Sequence, residues 1–349
     1  MTSINLTDPA GPGTAATAPR VGMFLPAVTT GLSPDTAATA RLLAAVGDAG
    51  LDHVCVGDHV SFAGFGFDGL TQAAVLAALH PTLPVHTGVY LLPLRHPVLV
   101  ARQIADLGRV APGRLVFGVG IGGEDRHEVA ICGVDPATRG RRMNEALTAL
   151  RRLLTGEPTS CYGEFYGFED AVIGPAPAPP VPIIVGGRSD VAIRRAGRLG
   201  DGWLGIWNSP RRYAAAVQLA ADEAGQVGRA DPPQRHAMQV WCGLAGSREQ
   251  ARGILATAMQ GFYGLPFERF ERYSPYGTPA DVAEFLAGYV AEGCTEFNLI
   301  PQGTDPEETV AGTAEVKRLL AGSSAAVSVP GAAAVAAGAG AAAVAAGQR

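Results

Sequence analysis

Two adjacent residues, Asp58 and His59, offer acid–base chemistry at the end of a predicted strand. The apolar run from His53 to Gly57 predicts a buried strand, and the pair follows it directly. An imidazole gains or loses a proton near neutral pH, and an adjacent carboxylate can orient it or raise its pKa. The pair therefore predicts a site of proton transfer. The alternative is structural, with Asp58 capping the next element and His59 packing.

A second segment suits a phosphate group. The β-branched run Ile183–Val185 stops at Gly186 and Gly187, and Ser189-Asp190 then opens a helical pattern. Glycines at a helix N-terminus leave backbone N–H groups open to an anion, and the helix dipole adds positive potential there. Gly186, Gly187 and the neighbouring Arg188 are therefore candidate cofactor-binding residues. The same pattern also fits an ordinary turn from strand to helix.

The glycine-rich run from Gly118 to Gly123 follows the predicted fourth strand and matches the spacing of dinucleotide-binding turns. Such turns open a helix at once, whereas the next helical pattern here begins near Arg139. Dinucleotide binding is thus disfavoured. We expect Gly120 and Gly122 instead to let a flat ring lie against the backbone.

Composition argues against several classes of function. The formal net charge is −5 and the basic residues form no long run, which disfavours a nucleic-acid partner. The five cysteines are widely spaced without a Cys-x-x-Cys pair, and the seven histidines lack metal-ligand spacing. We therefore expect no metal ion and a reducing, cytoplasmic location. The only lysine, Lys317, lies in the last predicted helix, which argues against Schiff-base chemistry.

The sequence divides into three regions. Residues 1–19 are polar and rich in small residues without a signal-peptide pattern, and we expect a disordered leader. Residues 20–321 carry the alternating pattern of one large domain. Residues 322–349 are dominated by Ala, Gly and Val. Their glycines and the weak hydrophobicity of alanine favour a low-complexity tail over a membrane span.

Eight short apolar runs alternate with amphipathic stretches through this domain. Continuous apolar strands imply a parallel sheet covered by helices, and eight such units match a (β/α)8 TIM barrel. Two segments exceed the minimal repeat, an insertion after strand 4 at 156–182 and another near strand 7 at 261–277. The predicted strands are Val21–Leu25, His53–Gly57, Val85–Leu91, Leu115–Gly120, Ile183–Val185, Gly202–Ile206, Gln239–Leu244 and Glu296–Ile300.

Aromatic residues fall in or beside the predicted loops at the carboxyl ends of the strands, where such barrels carry their function. We expect them to form an apolar pocket and a lid over a partly apolar substrate. Trp203 is the exception, because its Asp-Gly-Trp turn favours core packing. The candidate residues are Phe62, Phe65, Phe67, Trp207, Phe262, Tyr263 and Phe267.

The order and spacing of several motifs resemble the luciferase-like flavin and deazaflavin oxidoreductases. The resemblance covers residues 20–320 and implies a luciferase-like TIM barrel that binds FMN or the deazaflavin coenzyme F420 at the carboxyl ends of the strands. The motifs are Thr87-Gly88-Val89, Leu92-Pro93-Leu94-Arg95-His96-Pro97, Gly113-Arg114-Leu115, Gly118-Val119-Gly120, Arg139-Gly140-Arg141-Arg142, Leu154-Thr155-Gly156-Glu157-Pro158, Pro182-Ile183-Ile184-Val185-Gly186-Gly187 and Asp201-Gly202-Trp203.

The resemblance also assigns places around the cofactor. It implies that Gly186-Gly187 receives the cofactor phosphate and that Gly120 and Gly122 lie near the ring system. A cis peptide bond between Gly88 and Val89, bulging against the ring, is expected on the third strand. Non-prolyl cis bonds are rare, so this expectation is specific.

The pair Asp58-His59 resembles the deazaflavin-using branch, whereas many FMN-using relatives carry a Glu-His-His run at this place. The resemblance therefore implies hydride transfer between coenzyme F420 and a small, partly apolar organic substrate, with His59 and Asp58 as catalytic residues. Sugar-phosphate dehydrogenases of this branch place a catalytic acid close after the glycines of the fourth strand. Here Gly123 shifts Glu124 by one position, which leaves the role of Glu124 open.

Two other functions stay open from the sequence. One is an FMN-dependent monooxygenase supplied by a separate flavin reductase, and the other is a non-catalytic flavin-binding protein. A flavin or F420 reductase is thus a possible redox partner, and the family resemblance implies a homodimer. We expect no membrane partner.

Overall fold

The computed structural model describes residues 18–25, 35–62, 65–122 and 125–327. Most of the expected leader, the low-complexity tail beyond Val327, and Gly123 and Glu124 lie outside the described residues. The N-cap of the first helix is Asp35, whose carboxylate accepts from the Ala38 N–H at 2.9 Å.

Eight parallel strands close into a barrel, as the alternating pattern predicts. The strands are β1 (Arg20–Phe24), β2 (His53–Val56), β3 (Val85–Thr87), β4 (Leu115–Gly120), β5 (Ile183–Gly186), β6 (Gly202–Ile206), β7 (Ala237–Leu244) and β8 (Glu296–Gln302). Each pairs in parallel with its neighbours in chain order. Strand β8 returns to β1, with Phe297 opposite Val21, and this pairing completes the (β/α)8 TIM barrel.

Helices surround the barrel, and all except Arg126–Ile131, where the sequence pattern predicted no helix before Arg139, follow the predicted amphipathic stretches. They are α1 (Thr36–Asp48), α2 (Gly69–Leu79), α3 (Pro97–Val110), α4 (Arg126–Ile131), α5 (Arg139–Leu153), α6 (Asp190–Leu199), α7 (Pro210–Gln226), α8 (Arg248–Tyr263), α9 (Pro279–Ala291) and α10 (Pro306–Val327). Thr278 and Asp281 form a reciprocal capping box at α9, which fixes where that helix begins. Within the described part of the chain, no helix is both apolar and long enough to cross a bilayer.

The structure corrects the second and third predicted strands. Strand β2 ends at Val56, and His59–Phe62 starts a separate hairpin with Phe65–Phe67 that the sequence pattern did not reveal. The third strand is interrupted after Thr87 by a cis peptide bond between Gly88 and Val89, at the expected position. The segment Tyr90–Leu91 then pairs with β4.

Both expected insertions are present. After α5, the strand Thr159–Tyr162 forms a hairpin with Gly167–Ala171, and a proline-rich connection leads to β5. After β7, helix α8 extends to Tyr263, so the start of the expected loop is helical. Two short 3-10 turns and the strand Tyr276–Gly277, which pairs with β7, complete that insertion.

Candidate active site

The His59 imidazole lies in the hairpin that follows β2, where its neighbour is Glu128 of α4. The His59 Nδ1 atom lies 3.1 Å from Glu128 Oε2 and 3.3 Å from Oε1. The His59 side chain is 14% exposed, and its ring packs against the rings of Phe62 and Phe67. The structure therefore places a partly accessible imidazole beside a buried carboxylate.

The expected partnership between Asp58 and His59 is wrong. The Asp58 carboxylate instead makes a two-pronged ion pair with Arg95, at 2.6 Å from Nη1 and 2.8 Å from Nη2. Consecutive residues of an extended chain direct their side chains to opposite sides, so adjacency in sequence does not bring these two groups together. Glu128, which the sequence did not single out, is the carboxylate that contacts His59.

The Asp58 carboxylate joins three elements at the barrel rim. Its oxygens accept the Gly69 N–H at the start of α2, at 2.9 Å, and the Leu91 N–H beyond the cis peptide, at 2.8 Å. Burial raises the pKa of the Asp58 carboxyl, while Arg95 and the two N–H groups oppose that shift. Because all these partners are donors, they hold the group as an acceptor-only carboxylate. The observed contacts of Asp58 are structural ones.

The side chain of Val89 occupies the space that the glycines of β4 and β5 leave free. A Cβ on Gly120 would overlap Val89 Cγ2, and a Cβ on Gly186 would lie 2.7 Å from Val89 Cγ1. These two glycines are thus explained by Val89 packing across the barrel mouth. We expected Gly120 to leave its face open to a flat ring, and the structure fills the Cβ position of Gly120 with the Val89 side chain. Gly122 has a φ of +67°, which favours glycine.

The turn after β5 leads directly into α6. Ser189 caps the helix by accepting the Ala192 N–H at 3.3 Å, and Gly187 has a φ of +141° with its Cβ position 2.6 Å from Ala192 Cβ. The Gly187 carbonyl accepts the indole N–H of Trp203 at 2.7 Å. Trp203 is fully buried, as its Asp-Gly-Trp context predicts, and this hydrogen bond ties the turn to the core. Arg188 is exposed beside the turn.

Aromatic side chains form a continuous series from His59 to Arg188, which we call the aromatic wall. His59 stacks on Phe62 with 4.5 Å between ring centroids, and Phe62 contacts Phe262 at 5.1 Å. At the other end the Arg188 guanidinium lies 5.1 Å from the centre of the Trp207 ring. The wall consists of Phe62, Phe262, Trp241, Tyr263, Trp207 and Phe270.

Trp207 adopts a backbone conformation that is unusual for a bulky residue. Its φ is +50°, in the left-handed region, and its ring packs on Tyr263 and Phe270. Such a conformation costs about 1–3 kcal/mol and persists only where the surroundings enforce it. Phe267, which we expected in the lid, is instead buried beneath the wall, and the Phe65 side chain lies outside the described part of the chain.

A second polar cluster lies at the opposite end of the barrel. His53, His86 and Glu296 bring their ligand atoms within 4.8 Å of one another, which the scattered sequence positions did not reveal. However, the two imidazole rings stack at 3.7 Å, and Arg235 lies 3.0 Å from the Glu296 carboxylate and 3.3 Å from His86 Nε2. The positive guanidinium beside the carboxylate would repel a metal cation at this place. These contacts therefore favour a buried hydrogen-bond network over a metal site.

Comparison with known proteins places this architecture in a family. A model of the luciferase-like monooxygenases matches residues 19–322. The chain belongs to the luciferase-like monooxygenase family. An F420-dependent glucose-6-phosphate dehydrogenase of Nakamurella multipartita is 31% identical over 241 residues, which cover 62% of this chain and 71% of that protein.

An uncharacterized protein of Mycobacterium tuberculosis is 37% identical over 157 residues, 44% of this chain. The match spans 54%, about half, of that relative's length.

Two solved structures share the fold at low sequence identity. An F420-dependent secondary alcohol dehydrogenase in complex with an F420–acetone adduct has a TM-score of 0.76 at 18% identity, covering 87% of this chain and 99% of that one. The oxygenating constituent of 3,6-diketocamphane monooxygenase from Pseudomonas putida, in complex with FMN, has a TM-score of 0.68 at 17% identity, covering 87% and 98%. These likenesses confirm the luciferase-like TIM-barrel fold.

If Asp58 is a structural anchor, Asp58→Asn should lower the free energy of unfolding by about 3 kcal/mol, because an amide N–H2 would then face the Arg95 guanidinium. Urea denaturation measures this change. The matched control is Asp68→Asn, since Asp68 also contacts Arg95, at 3.2 Å, but is more exposed. It should cost less than about 1 kcal/mol. A stable Asp58→Asn variant that loses turnover would instead support the catalytic role first expected.

The His53 cluster predicts acid sensitivity. Burial lowers the pKa of His53 to about 4. The charges of Arg20 and Arg235 lower it further, whereas Glu296 and the hydrogen bond to Asn298 partly oppose the shift. The unfolded chain takes up the proton near pH 6.5, so the stability of the fold should decline as the pH falls from 6.5 towards 4. Urea denaturation at pH 7.5 and 4.5 should show a smaller decline for His53→Gln. The exposed-histidine control His127→Gln should keep the wild-type decline, and equal declines in all three proteins would contradict the prediction.

Proposed function

We propose that this protein is an oxidoreductase that transfers hydride between coenzyme F420 and a small, neutral, partly apolar organic molecule. The observation that carries the proposal is the His59 imidazole, held at Nδ1 by a buried carboxylate and set in the aromatic wall at the barrel rim. Hydride transfer to or from a carbon bearing oxygen requires a group that moves a proton, and an imidazole suits that task near neutral pH.

The cofactor phosphate would be held at the start of α6. Gly186, Gly187 and the exposed Arg188 precede the Ser189 cap, and the first N–H groups of a helix have no partner within that helix. The ring system would lie toward the cis peptide segment at Gly88 and Val89, with Gly120 and Gly122 close by. When bound, F420 supplies a two-electron hydride carrier.

The residues of the chain would then act on the substrate. His59 would exchange a proton through Nε2, which has no hydrogen-bond partner among the described residues, while Nδ1 stays with Glu128. The partly accessible members of the aromatic wall would bind apolar substrate carbon and exclude water. They are Phe62, Trp207, Phe262 and Tyr263. The cation that lies against that wall, Arg188 on Trp207, is assigned to the cofactor phosphate, and Arg252 of α8 is paired with Glu268 and Glu271. A neutral substrate therefore fits better than a phosphorylated sugar.

The choice of F420 rests on the relatives and on the resemblance of the Asp58-His59 sequence to the deazaflavin-using branch. The Nakamurella relative and the secondary alcohol dehydrogenase are both named as F420-dependent. The second candidate is an FMN-dependent monooxygenase supplied by a separate reductase, because one structural neighbour was solved with FMN. The homodimer implied by the resemblance stays a prediction.

Titration of the purified protein with F420, reduced F420 and FMN tests the cofactor. We expect F420 to bind with a Kd of about micromolar order, read from ring absorbance and fluorescence. The Arg188→Ala variant should bind it roughly tenfold more weakly, as loss of a charge-assisted contact implies. Binding of FMN without F420 would select the monooxygenase, and binding of neither would refute both redox functions.

His59→Ala should reduce kcat by about tenfold or more, because the reaction loses its proton carrier, while the Kd of the cofactor changes less than about threefold. Steady-state rates with simple secondary alcohols or ketones and F420 measure the first value, and fluorescence titration measures the second. His127→Ala, which removes an exposed imidazole, is the control and should keep wild-type rates. Unchanged turnover in His59→Ala would remove His59 from the mechanism.

A further inference from the structure

Glu128 is almost completely buried although it lies on a short surface helix. Its residue exposure is 2%, and it is on α4, which follows the glycine-rich loop after β4. Its carboxylate reaches the hairpin that carries His59. An ionisable group is rarely buried this far unless partners compensate for the lost hydration.

The two carboxylate oxygens of Glu128 have different closest partners. Oε1 accepts the Val60 N–H at 2.6 Å and the Ser61 N–H at 3.1 Å. Oε2 is the closer oxygen to the His59 Nδ1 atom, at 3.1 Å. Binding of the hairpin backbone accounts for the position of Oε1. It does not account for Oε2, which is directed at the imidazole, so a purely structural role leaves that contact unexplained.

The surroundings keep Glu128 ionised. Burial alone would raise the pKa of Glu128, but the hydrogen bond and charge of His59 and the N–H groups of Ser61 and Val60 outweigh it and lower the pKa. An ionised carboxylate can only accept hydrogen bonds. Because Oε2 lies 3.1 Å from Nδ1, a neutral His59 ring satisfies this carboxylate by donating from Nδ1, which leaves Nε2 without a proton.

We propose that Glu128 is a positioning residue that fixes His59 in the Nδ1-protonated tautomer, so that Nε2 is the atom that exchanges a proton with the substrate. The exchange with substrate rests on the proposed function, whereas the tautomer is a property of the protein alone. The arrangement also restrains the ring, since the same carboxylate holds the two residues that follow His59. A carboxylate that accepts a hydrogen bond from one ring nitrogen of a histidine sets both the tautomer and the orientation of that ring.

The test is Glu128→Gln. Gln can keep its amide oxygen on the Val60 and Ser61 N–H groups, and its N–H2 group then faces His59 Nδ1 as a donor. We expect the imidazole proton to move to Nε2. Nitrogen NMR of histidine-labelled apo protein at pH 8 reads the tautomer, with the His59 signal identified by its loss in His59→Gln. With F420, turnover should fall by about 10²-fold while the cofactor Kd stays within about threefold.

The control is Asp125→Ala, which removes the N-cap of α4, where Asp125 accepts the His127 N–H at 2.7 Å. It loosens the helix without replacing the carboxylate at His59, so the tautomer should stay on Nδ1. An unchanged tautomer in Glu128→Gln, or a changed tautomer with undiminished turnover, would overturn the inference. If the wild-type protein binds no F420, the proposed function fails, while the tautomer measurement still decides the role of Glu128.

Discussion

The rim of this barrel depends on one buried ion pair, that between Asp58 and Arg95. Its carboxylate accepts the first N–H of α2 and the N–H of Leu91, so the start of α2 and the Tyr90–Leu91 segment are both tied to the residue that follows β2. A buried charge requires full compensation, and each donor contributes to it. Any movement of one of these elements would leave a charge or an N–H group unpaired.

That constraint extends to two features that the proposed function uses. His59 directly follows Asp58, and Val89 lies two residues before Leu91, so the anchor fixes both the hairpin with the imidazole and the segment after the cis peptide. Val89 in turn fills the space above Gly120 and Gly186. One carboxylate thus fixes the position of the His59 hairpin relative to the glycine-lined side of the mouth.

The barrel was predictable because continuous apolar runs and amphipathic stretches are local signals in the sequence. The cis peptide at Gly88-Val89 came from family resemblance, not from the residue types alone. The sequence could not show side-chain direction, so Asp58 was assigned to His59 when it binds Arg95. Glu128 was missed because it lies 69 positions from His59, and no local pattern links them. The His53, His86 and Glu296 cluster was missed for the same reason.

The aromatic wall and the Val89 packing draw on different parts of the rim. Phe262, Tyr263 and Phe270 come from α8 and the segment after it, whereas Val89 packs against glycines of β4 and β5. Replacements in the α8 region can therefore reshape the aromatic wall without touching the Val89 packing. Such a division gives the scaffold evolvability: the apolar surface can change by drift in one insertion while the glycine-lined side keeps its shape.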